Sequence, residues 1–112
     1  MNKLKWLKVR TRIGFQYIML NRVLFIRSDN KKSTILLDDL RSLETNHMLK
    51  WYQEQLPKKF FFRCHRSYII NLQKIIEIAK GRIIMEGQVY IPIGEQYKDA
   101  FNQYMGKNFL GK

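Results

Sequence analysis

The sequence holds 112 residues, 46% hydrophobic and 13% aromatic, with two histidines and one cysteine; this excludes a two-domain chain, a disordered one, a disulfide scaffold and a Cys/His zinc site. Twenty-one Lys and Arg against nine Asp and Glu give a formal net charge of +12, which favours polyanions, nucleic acid first and an anionic membrane surface second. The uncharged stretch at residues 14–21 is too short to span a bilayer, so no membrane insertion is expected, and the basic N-terminus lacks the apolar centre of a secretory signal.

In chain order, most segments predict short strands. Residues 8–12 alternate charge with β-branched positions and lead to a turn at Ile13-Gly14. Residues 15–20 and 23–26 are aromatic and β-branched runs separated by Asn21-Arg22. Residues 28–32 form a polar loop, residues 33–37 a strand, Asp38-Asp39 a turn and residues 40–44 the return strand. Asn46 can cap a helix over 47–56, with Met48, Leu49, Tyr52 and Leu56 on one face, His47 at its exposed start and Pro57 as its stop. The same apolar positions also fit one longer helix starting at Leu40, and periodicity leaves both open.

Beyond Pro57, alternation puts Phe60 and Phe62 on one face of a strand and Phe61 and Arg63 on the other. Arg66 then falls at a bend whose backbone Ser67 can hold. Residues 68–70, 75–78, 82–85 and 89–93 are further strands, with turns at Lys80-Gly81 and Glu86-Gly87. Residues 94–96 form a loop, and Tyr97, Ala100, Phe101 and Tyr104 have helical spacing. The sum is one mainly β domain with one or two short helices.

The charge is not uniform. Residues 1–32 carry +8, residues 33–57 carry −2, residues 58–82 carry +6, and residues 83–112 are neutral. Two folded basic blocks flanking an acidic one suggest two parts of one surface. Catalysis finds no support. Cys64 and His65 are adjacent, so on a strand they point to opposite faces, and Cys64 reads as a small buried residue. Asp38-Asp39 reads as turn chemistry, and the glycines form no phosphate-cradling pattern. The run Lys58, Lys59, Phe60, Phe61, Phe62, Arg63, Cys64, His65, Arg66, Ser67 does suit polyanion contact. Arginine offers a fork that fits guanine or phosphate, and His65 and Ser67 can donate to phosphate oxygens.

Residues 55–72, Gln-Leu-Pro-Lys-Lys-Phe-Phe-Phe-Arg-Cys-His-Arg-Ser-Tyr-Ile-Ile-Asn-Leu, closely resemble the signature of the LytTR family of bacterial DNA-binding domains, approximately L-P-x-x-F-x-R-x-H-R-S-Y-I-V-N-L. Residues 23–26 with the polar loop resemble the family's I-L-Y-I-E-A-D-G-N-Y segment. Residues 81–85 and 90–93, followed by Tyr97 and Lys98, resemble its final hairpin. The likeness covers residues 8–104. It implies about ten short strands in small antiparallel sheets with one or two short helices. It also implies DNA binding through inter-strand loops in successive major grooves, commonly on direct repeats in promoters, with bending of the DNA.

By position, the family's three base-reading loops fall at Lys31 or Lys32, at Arg66, and at Gly94-Glu95-Gln96. The last departs from the family's usual Ser-Arg-Arg and lacks a usual contact. Arg27 stands where the family carries an acidic residue. LytTR domains commonly follow a receiver domain, for which 112 residues leave no room. A free-standing, response-regulator-like protein or an excised domain is therefore expected, and the start at Met1 slightly favours the first.

The expectation is a cytoplasmic, sequence-specific transcription regulator with no catalytic residue, cofactor or metal. Lys31, Lys32 and Arg66 read base edges. Arg63, His65, Ser67, Lys80, Arg82 and Gln96 touch the DNA backbone or support the loops, and Lys58 touches phosphate alone. The expected partners are duplex DNA with direct repeats, a second copy on the DNA, and a regulatory protein. Two rivals stand beside this reading: a general single-strand binder that stacks bases on Tyr and Phe, and a module for an acidic protein partner.

Overall fold

The computed structural model describes residues 5–109 and 111. All strand pairing is antiparallel, in three small sheets. β1 (Trp6–Thr11) and β2 (Gly14–Met19) form a hairpin. The central sheet has the order β5-β4-β3-β7-β6, from β3 (Val23–Asp29), β4 (Lys32–Leu37), β5 (Ser42–Thr45), β6 (Phe61–His65) and β7 (Tyr68–Asn71). The third sheet joins β8 (Ile75–Ala79), β9 (Arg82–Met85) and β10 (Val89–Pro92). α1 (Leu49–Gln55) precedes β6, and α2 (Lys98–Asn108) follows β10.

Each face of the central sheet carries its own core. On one, Val23, Ile26, Ile35, Phe61 and Ile69 pack against Leu7, Val9 and Ile18 of the first hairpin and Leu49, Tyr52 and Leu56 around α1. On the other, Leu24, Phe25, Cys64 and Ile70 meet Ile83, Met85, Ile91 and Phe101. Strict alternation cannot send Val23 and Ile26 to one face. A register shift between Val23 and Phe25 supplies the extra residue that does. Asn71 is fixed beside this irregularity, because its buried Nδ2 donates to the Val23 carbonyl at 2.9 Å.

Four two-residue turns leave the molecule at one end. In the central sheet Asp29 pairs with Lys32 and Arg27 with Tyr68, so the Asn30-Lys31 and Arg66-Ser67 turns lie side by side. The Ser28 N–H donates to the Ser67 carbonyl at 2.9 Å. Arg82 pairs with Pro92, and two residues later the Gly94 N–H donates to the Cys64 carbonyl at 2.9 Å, which brings the Lys80-Gly81 turn to the same end. The Asn46 N–H donates to the Arg10 carbonyl at 2.8 Å, just past the Thr45–Ser33 pair, and this aligns the Arg12-Ile13 turn with the others. The far end holds Asp38, Asp39 and Leu40, the 3-10 turn Leu72–Lys74, and the loop of Glu86, Gly87 and Gln88.

Several local expectations are corrected. The helix begins at Leu49, and Asn46 does not cap it, because its N–H is bound to β1 and the chain stays extended through Met48 (φ −86°, ψ 162°). Met48 is exposed, leaving Leu49, Tyr52 and Leu56 as the packed face. No longer helix starts at Leu40, which turns at φ 68° before β5 opens at Ser42. Phe60 precedes the strand in a turn whose N–H groups at 60 and 61 reach the Pro57 carbonyl, so it packs on the same side as Phe61. His47 is half-buried, stacked on Trp51 with ring centroids 3.6 Å apart.

Candidate nucleic-acid interface

The Arg66 turn is built by its neighbours. Arg66 is exposed, while Arg63, three residues earlier on β6, is half-buried and directs its guanidinium back at the turn. Arg63 Nη2 donates to the Arg66 carbonyl at 2.5 Å, and Nη1 donates to Gln53 Oε1 of α1 at 2.7 Å. The Ser67 N–H donates to His65 Nδ1 at 3.0 Å, which leaves Nε2 of the neutral ring as a donor. Ser67 thus holds the bend through its backbone on both sides. Behind it, the His65 ring meets Tyr68 edge-on at 5.6 Å, and Tyr68 meets Phe25 likewise. The central Arg-x-His-Arg-Ser-Tyr of the sequence is therefore a frame that presents Arg66.

Lys31 and Lys32 are exposed at the neighbouring turn, where Asn30 adopts φ 60°. Lys32 Nζ stands 4.0 Å from Glu44 Oε1, and both side chains are about half exposed, so the pair restrains Lys32 only weakly. Lys80 and Gly81, at φ 53° and 75°, suit the tight hairpin turn that matches strand twist. The Arg82 guanidinium lies 5.1 Å from the ring centre of Tyr90, which pairs with Ile84, so this cation–π contact lays the side chain back along the hairpin beside the turn.

The third loop packs directly against the second. A Cβ on Gly94 would stand 3.1 Å from the Tyr97 ring and 3.4 Å from the His65 Cα, so any larger residue would push Tyr97 or β6 aside by a few tenths of an ångström. Gln96 is exposed on the 3-10 turn Glu95–Tyr97. Glu95, almost fully exposed, lies 3.8 Å from Lys98 and sets a negative charge in this loop.

The structure brings Lys31, Lys32, Arg63, His65, Arg66, Ser67, Lys80, Arg82 and Gln96 to one end. It separates Lys58 from them: Lys58 precedes β6, at the end opposite Arg66, where its carbonyl and that of Lys59 accept from the Tyr104 hydroxyl at 3.2 and 2.9 Å. The phosphate contact expected of Lys58 would therefore lie apart from the Arg66 turn. At the far end Asp38 and Asp39 are paired with Arg22 at 3.1 and 2.9 Å, and Asp39 with Arg41 at 2.7 Å. The Arg41 backbone N–H, then the two guanidinium groups, hold the Asp39 carboxyl down at about 2.

Cys64 is wholly buried, and burial pushes its thiol up to about 12, so it is no nucleophile for His65 to activate. His47 Nε2 accepts the Arg10 N–H at 3.0 Å, and burial, then the Arg10 charge, lower its pKa. Among the described residues no group of three His, Cys, Asp or Glu is placed to hold a metal ion, and no helix is long and apolar enough to cross a membrane. Sequence reasoning passed over Arg10 and Arg12, although the +8 block that contains them was the available signal.

Comparison with known proteins agrees with this fold. The family model described as the LytTr DNA-binding domain matches residues 14–106. The transcriptional regulatory protein LytR of Staphylococcus aureus, strains N315 and COL among others, is 31% identical over 68 residues, which cover 56% of this chain. The match spans 28% of the length of those curated relatives. A LytTr DNA-binding domain from a Bacillus cereus methyl-accepting/DNA response regulator superposes with a TM-score of 0.79, covering 91% of this chain and 97% of that one. At 22% identity that likeness is one of fold.

Proposed function

This chain belongs to the LytTR family of DNA-binding domains, and we propose that it binds duplex DNA sequence-specifically through its turn end and so regulates transcription. One observation carries the reading: an exposed arginine, Arg66, stands on a turn fixed by Arg63 and His65, with Lys31, Lys32, Lys80 and Arg82 around it. A planar fork held in one place can read guanine O6 and N7, and the surrounding cations neutralise phosphates. Lys31, Lys32 and Arg66 are the base-reading side chains in this proposal. Lys80, Arg82, Gln96 and the free nitrogen of His65 touch the backbone, and Arg63 and Ser67 shape the turn.

The reading includes no catalytic step, and it extends to direct-repeat promoter sites on which two copies sit, with loops in successive major grooves. The whole regulator's input and its protein partners belong to the proposal in the same way. Selection of bound sequences from a random duplex pool tests it, followed by titration of the selected duplex, a random duplex and a single strand across a salt series. Enrichment of a motif with at least about a thousandfold preference over random duplex is expected for specific binding. Tightest binding to the single strand would favour base stacking on Tyr and Phe instead, and no DNA retention at low salt would favour an acidic protein partner.

A further inference from the structure

The β1–β2 turn points the same way as the turns assigned to DNA, although nothing in the family signature includes it. Arg10 is anchored on both sides: its N–H donates to His47 Nε2 at 3.0 Å, and its carbonyl accepts from Asn46 at 2.8 Å. Thr11, buried, closes the turn by donating from Oγ1 to the Gly14 carbonyl at 3.3 Å. Arg12 follows, exposed, and Ile13 beside it is 84% exposed at the tip. Among the described residues no ion pair engages the guanidinium of Arg10 or Arg12, and no acidic residue occurs between positions 1 and 28.

The layering gives this turn its place. The hairpin lies on one face of the central sheet and the β8–β10 sheet on the other. Face-to-face sheets stand about 10 Å apart, so the Arg12 turn and the Lys80 turn flank the central pair from opposite sides, roughly 20 Å from one another. We propose that Arg10 and Arg12 form a sequence-independent phosphate-binding site on the β1–β2 turn, which grips the duplex backbone on the flank opposite Lys80 and Arg82. This rests on the DNA-binding reading above and deepens it. The backbone of Arg10 is already fixed by His47 and Asn46, so the ordering left for binding is that of the side chains.

The test is the salt dependence of binding to a random duplex by Arg10→Gln/Arg12→Gln. Each phosphate contact contributes about 0.9 to the slope of log K against log salt. The double variant should therefore show a slope shallower by up to about 1.8, so that each decade of added salt weakens it by up to ~60-fold less than it weakens wild type. Lys58→Gln/Lys59→Gln removes the same two charges from the far end and should leave the slope alone. Arg10→Lys/Arg12→Lys should keep it, and a backbone-cleavage footprint should shorten on one flank only for the glutamine variant. An unchanged slope for Arg10→Gln/Arg12→Gln overturns the site, and so does an equal loss in both glutamine variants, which would mean a general field. Thermal melting of each variant separates lost contact from lost fold. Because the random duplex is the probe, failure of wild type to select a motif would sink base reading by Arg66 and leave this measurement readable.

Discussion

Arg63 faces inward to Arg66: its Nη2 holds the Arg66 carbonyl at 2.5 Å while its Nη1 holds Gln53 of α1 at 2.7 Å. Two arginines three residues apart thus do different work, one shaping the turn and the other leaving it. Arg66→Ala should lower affinity for the preferred duplex by about 1–3 kcal/mol and relax base preference there, with melting almost unchanged because the side chain is exposed. Arg63→Ala should lower both, costing about 1–2 kcal/mol of stability through lost charge-assisted hydrogen bonds. Arg63→Lys should not rescue it, since an ammonium cannot span two acceptors as the fork does. Paired melts and duplex titrations decide this; an Arg63→Ala protein that melts like wild type while losing only specificity would make Arg63 a DNA contact.

Lys32 and Glu44 stand 4.0 Å apart across neighbouring strands, both about half exposed. A pair this open adds little to stability, yet the carboxylate repels the phosphates that Lys31 and Lys32 are proposed to approach. Glu44→Gln should therefore tighten binding to every duplex, by under about 1 kcal/mol, and more at low salt than at high. Titrations at two salt concentrations check it, and weaker binding by Glu44→Gln would mean that the carboxylate positions Lys32 for contact.

How much of this was legible follows the range of each interaction. Strand alternation and turn chemistry are local, so the turn at Lys80-Gly81 and the bend at Arg66 were readable from the residues around them. The Val23–Phe25 irregularity was not, because it answers to cores on both faces of the sheet. Asn46 looked like a cap until its N–H was claimed by Arg10, 36 positions earlier. Lys58 shares a basic run with Arg66 in the sequence, but five strand residues at about 3.4 Å each put it at the other end of β6. For that reason Lys58→Ala is now expected to leave DNA affinity close to wild type. Arg10 and Arg12 are likewise distant in sequence from every signature residue, and the packing of one sheet on another brings them to the turn end.

His47 makes the hairpin's attachment sensitive to pH. Its ring stacks on Trp51, meets Tyr52 edge-on, and accepts the Arg10 N–H through Nε2. Burial and the nearby Arg10 charge lower its pKa below the ordinary 6.5, so the neutral ring is the folded form. The unfolded chain then binds more protons as pH falls through 6.5, and stability drops between 6.5 and the lower folded value. Above 6.5 the contribution is fully present. The melting midpoint should fall on acidification through this window, and His47→Gln should flatten the dependence. A wild-type midpoint level from pH 7.5 to 5 would show that protonation of His47 is not coupled to folding.

Cys64 lies where a modification would do harm: its carbonyl accepts the Gly94 N–H that docks the third loop, and Arg63 and His65 on either side frame the Arg66 turn. Burial that pushes the thiol to about 12 keeps its thiolate scarce near neutral pH, and the side chain is 0% exposed. A thiol-specific alkylating agent at pH 8 should therefore label the native protein far more slowly than the denatured one. The labelling rate should rise with denaturant in parallel with global unfolding, because the sulfur sits in the core with Leu24, Ile70 and Phe101. Labelling that outpaces unfolding in native buffer would mean that the strand edge at Cys64 opens locally, and the Arg66 turn with it, in which case DNA should slow the reaction by closing that edge.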